Sequence, residues 1–390
     1  MKFEFKKLLS HKELWIVLAL SLIALLLLTF RYDFAGFSVL KVTWQKQPHY
    51  YSMTYQEAEP ILQKELAQLG PEAQNESSPK FAEATVLKDF QFCINEYKQQ
   101  EDKMRELVIQ MNKDLQEAQT DFARRDLSHA LKLYNRAYHY RVCPYNRFLF
   151  AFLHMEYGDY LHWLYLLLIV TLLSPLFSAE YETGMYQILF SSKKGKKALF
   201  RKKILGGVLG VSAAAFIYTL IAYTALWIHR GLSFQLWAAP IQCIDQYRYC
   251  PYALTVAEFI LLTVLMRILI GCFVLAIIAL VSCFCKKSLA VFAVSGGAAA
   301  IPMLLAKLLE HNAEGMTVLK RLGLMRLSYL RDYLMRYETV NVCGYPVSQM
   351  MLSVLCTVFL TAFVLVTANI FYTHNNTHRK PVKTCSASQT

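Results

Sequence analysis

Residues 178–203 read SAEYETGMYQILFSSKKGKKALFRKK: two acids, a short apolar stripe and seven basic residues. Apolar runs flank this stretch, Tyr160 to Phe177 before it and Ile204 to Ile228 after it. Both are close to the ~20 helical residues needed to cross a hydrocarbon core of about 30 Å. Leu14 to Phe30, Leu254 to Phe284, Leu289 to Leu308 and Val347 to Tyr372 reach or approach the same length. A chain that is 55% hydrophobic, with its apolar residues gathered in so few blocks, is not an ordinary soluble enzyme. The expected fold is all-α: a polytopic membrane protein with six transmembrane helices and a helical extracellular domain between the first and second.

The basic start MKFEFKK precedes the first run, and no small-x-small cleavage site follows it. That run therefore reads as a retained anchor with a cytoplasmic N-terminus. Counting forward puts the loop 178–203, the link Cys285–Ser288 and the tail 373–390 inside. Lys plus Arg number four in the N-terminus, seven in the loop, two in the link and three in the tail, as the positive-inside rule requires. The expected domains are a cytoplasmic amphipathic start with the first span (1–30), the outer helical domain (31–158), and a five-span bundle (159–390) with outer loops 229–253 and 309–346. One segment opposes the count: Lys320, Arg321, Arg326, Arg331 and Arg336 fall outside, nearly neutralised by Glu310, Glu314, Asp332 and Glu338. The net charge of +13 invites a nucleic-acid partner. Arg31–Gly158, however, balances 16 basic against 17 acidic residues, so the excess lies mostly in the inner loops and tail, and no nucleic acid is expected.

Within the outer domain, Thr54-x-x-Glu57 fits a capping box and GPEAQNESSP (Gly70–Pro79) a break. Beyond the break, Leu87, Phe90, Ile94, Tyr97, Glu101, Met104, Val108, Met111, Leu115, Ala118 and Phe122 alternate in steps of three and four, the spacing of one helix face. Two readings stay open: a projecting stalk that recognises a partner, or a helix packed on its own domain. ARRD (Ala123–Asp126) is the expected turn into a return helix carrying Leu127, Leu131, Tyr134 and Tyr138. External placement makes two disulfides candidates, Cys243 with Cys250 and Cys93 with Cys143; free packed thiols are the other reading. Cys283-x-Cys285 lacks the spacing of a zinc site, so no metal is assigned.

The sequence contains no phosphate-binding G-x-x-x-x-G-K-[ST] loop, nucleophile elbow or His-Glu-x-x-His, so no catalytic residue and no bound cofactor is expected. Gly206-x-x-x-Gly210-x-x-x-Ala214 and SGGAAA (Ser295–Ala300) are small-residue faces that let helices approach closely, and Pro302 should kink the fifth span. Arg267, near the middle of the fourth span, is the costliest residue there. Glu258 lies nine residues earlier, about 13.5 Å along the axis and half a turn out of phase, so the two cannot pair within one straight helix. Arg267 either lines a translocation path or binds lipid phosphate, or it locks two helices together.

In the opening stretch, Ser178 is placed to cap a short inner helix with Glu180 and Glu182 in its first turn. Tyr181, Met185, Ile188 and Leu189 share one face of that helix, and Gly195 ends it. These residues resemble the cytoplasmic coupling element of ABC-2-type transporter permeases: an acid at the end of the second span (Glu180), a glycine (Gly184), an apolar pair (Ile188 and Leu189), a small polar turn (Ser191 and Ser192), then Gly195 and Lys202 or Lys203. The six-span layout, the basic start FEFKKLL and the large outer insert are similar to the same family. The helical character of the insert and the basic loop before the last span depart from it. The resemblance implies the membrane subunit of an exporter in a bacterial cell membrane, paired with a second copy or a sister permease. Its driver would be a separate ATP-binding cassette ATPase, which carries the ATP and magnesium and docks on this loop, with membrane lipid as the other partner. The chief alternative is a receptor or sensor that binds with its outer domain and does not transport.

Overall fold

A computed structural model describes residues 16, 19–20, 23, 42, 45–46, 49–50, 53, 55–70, 79–138, 159–186, 195–230, 237–238, 240–243, 247, 249–309, 330–335 and 337–374. The insert contributes α1 (Tyr55–Leu69), α2 (Pro79–Glu117) and α3 (Asp121–Tyr138). Gly70, at φ +66°, closes α1 in the left-handed position that a Cβ disfavours. Pro79 opens α2 where its missing N–H costs nothing. With 39 residues, α2 is about 58 Å long. Its expected stripe is used inside its own domain. Leu87, Phe90 and Ile94 bury against Ala58 and Leu62 of α1, and Met104 meets Ala130 and Tyr134 of α3.

The chain reverses at 118–120, earlier than expected, and ARRD lies inside α3. The caps explain the shift. Thr120 Oγ1 accepts the Ala123 N–H at 3.2 Å, and Arg124 Nε donates to the Ala118 carbonyl at 3.1 Å.

The bundle consists of α4 (Asp159–Glu182), α5 (Gly195–Arg230), α6 (Val256–Val281), α7 (Ser288–Leu309) and, after α8 (Leu330–Leu334) and a strand pair, α9 (Gln349–His374). Four of these, α4, α5, α6 and α9, are long and apolar enough to cross a membrane, and α7 is apolar over Ser288–Ile301. The expected first span lies outside the described residues except Ile16, Ala19, Leu20 and Ile23, which are helical and exposed. The most apolar window of α4 is 72% buried and that of α9 only 17%, so α4 is wrapped by protein while α9 turns an apolar side outward.

Close approach of α5 and α6 depends on two glycines. A Cβ at Gly207 would stand 2.7 Å from a Leu275 methyl, and one at Gly271 would collide with the Val211 side chain. Gly206 and Gly210, from the expected face, are also buried, but the tightest contact is one residue along. The second small-residue face behaves as expected: Ser295 and Ala299 are fully buried, and Gly296 sits against Val170 of α4.

One element corrects the all-α expectation. β1 (Thr339–Val342) and β2 (Tyr345–Ser348) form an antiparallel hairpin in register Thr339 to Ser348 and Val342 to Tyr345. Cys343 and Gly344, both at positive φ, make its two-residue turn, the twist-matched geometry for a hairpin.

Candidate functional site

α4 runs unbroken through Ser178 to Glu182, which overturns the expected N-cap. The Ser178 hydroxyl donates to the Ser174 carbonyl one turn back at 2.7 Å, so it serves a continuing helix and does not start a new one. The left-handed terminator is Gly184, at φ +72°, and not Gly195, which instead opens α5. Glu180 and Glu182 consequently lie in the last turn of a helix, at the negative end of its dipole, where a carboxylate is disfavoured.

Two contacts resolve that conflict. Lys203 of α5, fully buried, places Nζ 2.8 Å from Glu180 Oε2 and donates to the Leu176 carbonyl at 2.9 Å. One ammonium thus neutralises the acid and satisfies an α4 carbonyl. It also stands 5.3 Å from the Phe177 ring centroid, a favourable cation–π distance, and Phe177, Phe200 and Tyr372 pack around the pair. Glu182 accepts the Ser288 N–H at 2.6 Å, placing its charge at the positive start of α7. The hydroxyls of Ser178 and Ser288 add a second link at 2.9 Å. The ends of α4, α5 and α7 are therefore joined at one point.

Of the expected docking residues, Tyr181 is half-buried with its ring 5.3 Å from that of Tyr186, and Met185 is exposed. Ile188 and Leu189 lie outside the described residues. Of Lys202 and Lys203, Lys203 is buried in the pair with Glu180 and Lys202 is exposed. Ser288 went unnoticed in the sequence.

Arg267 is 2% exposed. Its Nη1 donates to Thr219 Oγ1 of α5 at 2.7 Å, and its guanidinium carbon lies 5.4 Å from the Tyr218 ring centroid and 6.0 Å from that of Tyr165. The Tyr165 hydroxyl donates to the Arg267 carbonyl at 2.9 Å. Between the two earlier readings, this geometry is that of a lock joining α4, α5 and α6. Glu258, exposed, forms a reciprocal capping box with Thr255 at the start of α6.

A third junction joins the insert to the hairpin. Asp126 Oδ1 of α3 accepts from the Tyr337 phenol at 2.9 Å and from Thr339 Oγ1 at 2.7 Å. His129 Nδ1 stands 3.0 Å from the same phenol. Arg125 covers the Tyr345 ring at 4.8 Å and donates to the Gly344 carbonyl. Burial, with the Asp126 carboxylate beside it, pushes the Tyr337 phenol above its ordinary range. Tyr249, from the 229–253 loop, and Tyr337 both pack against the cluster around Met104. The insert and the segments before α6 and α9 therefore meet on one side of the bundle.

The Cys243–Cys250 bridge is not formed. Cys250 is a free, buried thiol whose Sγ lies 3.5 Å from the Tyr252 carbonyl, and burial pushes it up to about 12. The side chains of Cys93 and Cys143 lie outside the described residues. Among the described residues, no three His, Cys, Asp or Glu are grouped so as to hold a metal. No known family model matches the chain, and comparison with curated proteins finds no match.

Proposed function

We propose that this chain is the permease subunit of an ATP-driven exporter of the ABC-2 type, with six spans, an extracellular helical insert and a docking loop at 183–195. Such a subunit works only if a load applied by the ATPase reaches several spans, because a partner shifts a conformational equilibrium through contacts that differ between two states. The observation that carries the reading is the Glu180–Lys203 junction. The segment between α4 and α5 hangs from a buried ion pair that ties both helices together, while Glu182 and Ser178 bind the start of α7 beside it. The meeting of the insert, Tyr249 and the hairpin on one side supports the alternation of spans, with the basic start of α5 at the opposite end of that helix from Arg230.

The receptor reading draws on a different observation, the latch between α3 and the hairpin leading into α9. One experiment separates them. The chain is purified from its native membrane in mild detergent, and co-purifying proteins are identified. Recovery of an ATP-binding cassette subunit, lost on Met185→Asp while the insert stays folded, supports the exporter. Recovery of a kinase or no ATPase, with wild-type and variant alike, overturns it in favour of the receptor.

A further inference from the structure

On the outer side of α5 and α9 lies an open groove of ≈ 460 Å³, lined by Ile204 and Val208 of α5 and Leu365 and Val366 of α9, with Arg201 and Asn369 at one end. Both helices are of spanning length, so the groove runs along the membrane normal and its apolar part faces acyl chains. The distance from Arg201 to Val208 is about 10 Å, a polar head followed by two apolar turns. The groove ends where the basic run begins: Arg201, Lys202 and Lys197 are all exposed there. Among the described residues Arg201 has no ion-pair or hydrogen-bond partner, although Lys203, two residues on, is fully engaged. A guanidinium that presents several donors in a planar fork suits a phosphate oxygen pair.

We infer that this groove binds one anionic phospholipid, its phosphate on Arg201 with the Asn369 amide beside it and one acyl chain along Ile204, Val208, Leu365 and Val366. Charge complementarity selects the headgroup and the apolar channel selects the tail. A free phosphate would leave the channel unfilled. The site requires only that the Arg201 end of α5 lies at a membrane face, and it does not depend on transport.

The test uses the full-length chain in nanodiscs of equimolar phosphatidylcholine and phosphatidylglycerol, with retained lipids counted by native mass spectrometry. Wild type should retain phosphatidylglycerol in preference to phosphatidylcholine. Arg201→Gln should weaken that retention about fivefold, corresponding to ~1 kcal/mol for one basic group at an anionic surface. Lys202→Gln, equal in charge change but outside the groove, should leave it unaltered. Val366→Trp, at an exposed position, should abolish retention by filling the channel. Equal retention of both lipids, or an Arg201→Gln chain that holds phosphatidylglycerol as wild type does, overturns the proposal. So does efficient disulfide cross-linking of Val366→Cys chains to each other in native membranes, which would make the groove a contact between copies.

Discussion

The two ends of the bundle are fastened in opposite ways. At the loop end, α4 and α5 are held by one ion pair with Lys203 at 0% and Glu180 at 3% exposure, enclosed by three aromatic rings. At the insert end, Asp126, half-buried, collects hydroxyl donors from Tyr337 and Thr339, while Arg125 and His129 work from exposed positions. A pair taken out of water is costly to break, because either partner left alone is a buried charge without compensation. A water-accessible latch exchanges its bonds with solvent at small net cost. The loop end should therefore resist separation far more than the insert end.

The largest test of that contrast is Lys203→Met. It should cost roughly 3–5 kcal/mol, whereas the double change Glu180→Leu with Lys203→Met should restore most of the loss, since both charges then disappear. Thermal unfolding of the detergent-solubilised chain reads both, and a double variant no better than the single one would mean that the aromatic packing, not charge, holds the junction. Next comes Arg267→Leu, which removes the hydrogen bond to Thr219 Oγ1 and the cation beside the Tyr165 and Tyr218 rings and should lower stability by about 1–3 kcal/mol, seen as reduced folded yield. Unchanged yield with altered transport would return Arg267 to a path-lining role.

The insert end should respond less. Asp126→Ala should cost about 1 kcal/mol and raise amide exchange in Thr339–Ser348 while leaving the bundle's unfolding temperature nearly unchanged. Its pH dependence follows from Tyr337. The folded phenol titrates above its unfolded value, so its contribution is complete below the usual phenol range near 10 and is lost as pH rises toward the folded value. Hairpin exchange rates, corrected for intrinsic chemistry, should therefore be flat between neutral and mildly alkaline pH. The smallest effect is chemical: a membrane-impermeant maleimide added to intact cells should label exposed Cys343 and spare buried Cys250, whose thiol remains protonated. Failure to label Cys343 would place the hairpin, and with it the insert, on the other side.

How far these features could be read from sequence depends on their range. The apolar runs and the α2 stripe are local patterns whose period reports burial directly, and where they fall on described residues they mapped onto helices or their packed faces. The Ser178 cap failed because serine followed by acids also describes a helix ending with its acids paired elsewhere, and that partner, Lys203, lies 23 residues on. An acid in the final turn is itself a signal that a cation must reach it. The hairpin escaped notice because Cys-Gly supplies a turn that Asn-Gly or Asp-Gly would announce. Asp126 had no local mark, since its partners are more than 200 residues away.

α5 has 36 residues, about 54 Å against a hydrocarbon core near 30 Å, and it is held fast at Lys203. A rigid rod pinned off-centre is a lever. From that fulcrum the Gly195 end extends about 12 Å and the Arg230 end about 40 Å, an arm ratio of roughly three to one. A push that moves Gly195 by ~1 Å would swing Arg230 by ~3 Å through geometry alone, a displacement comparable to a side chain's width.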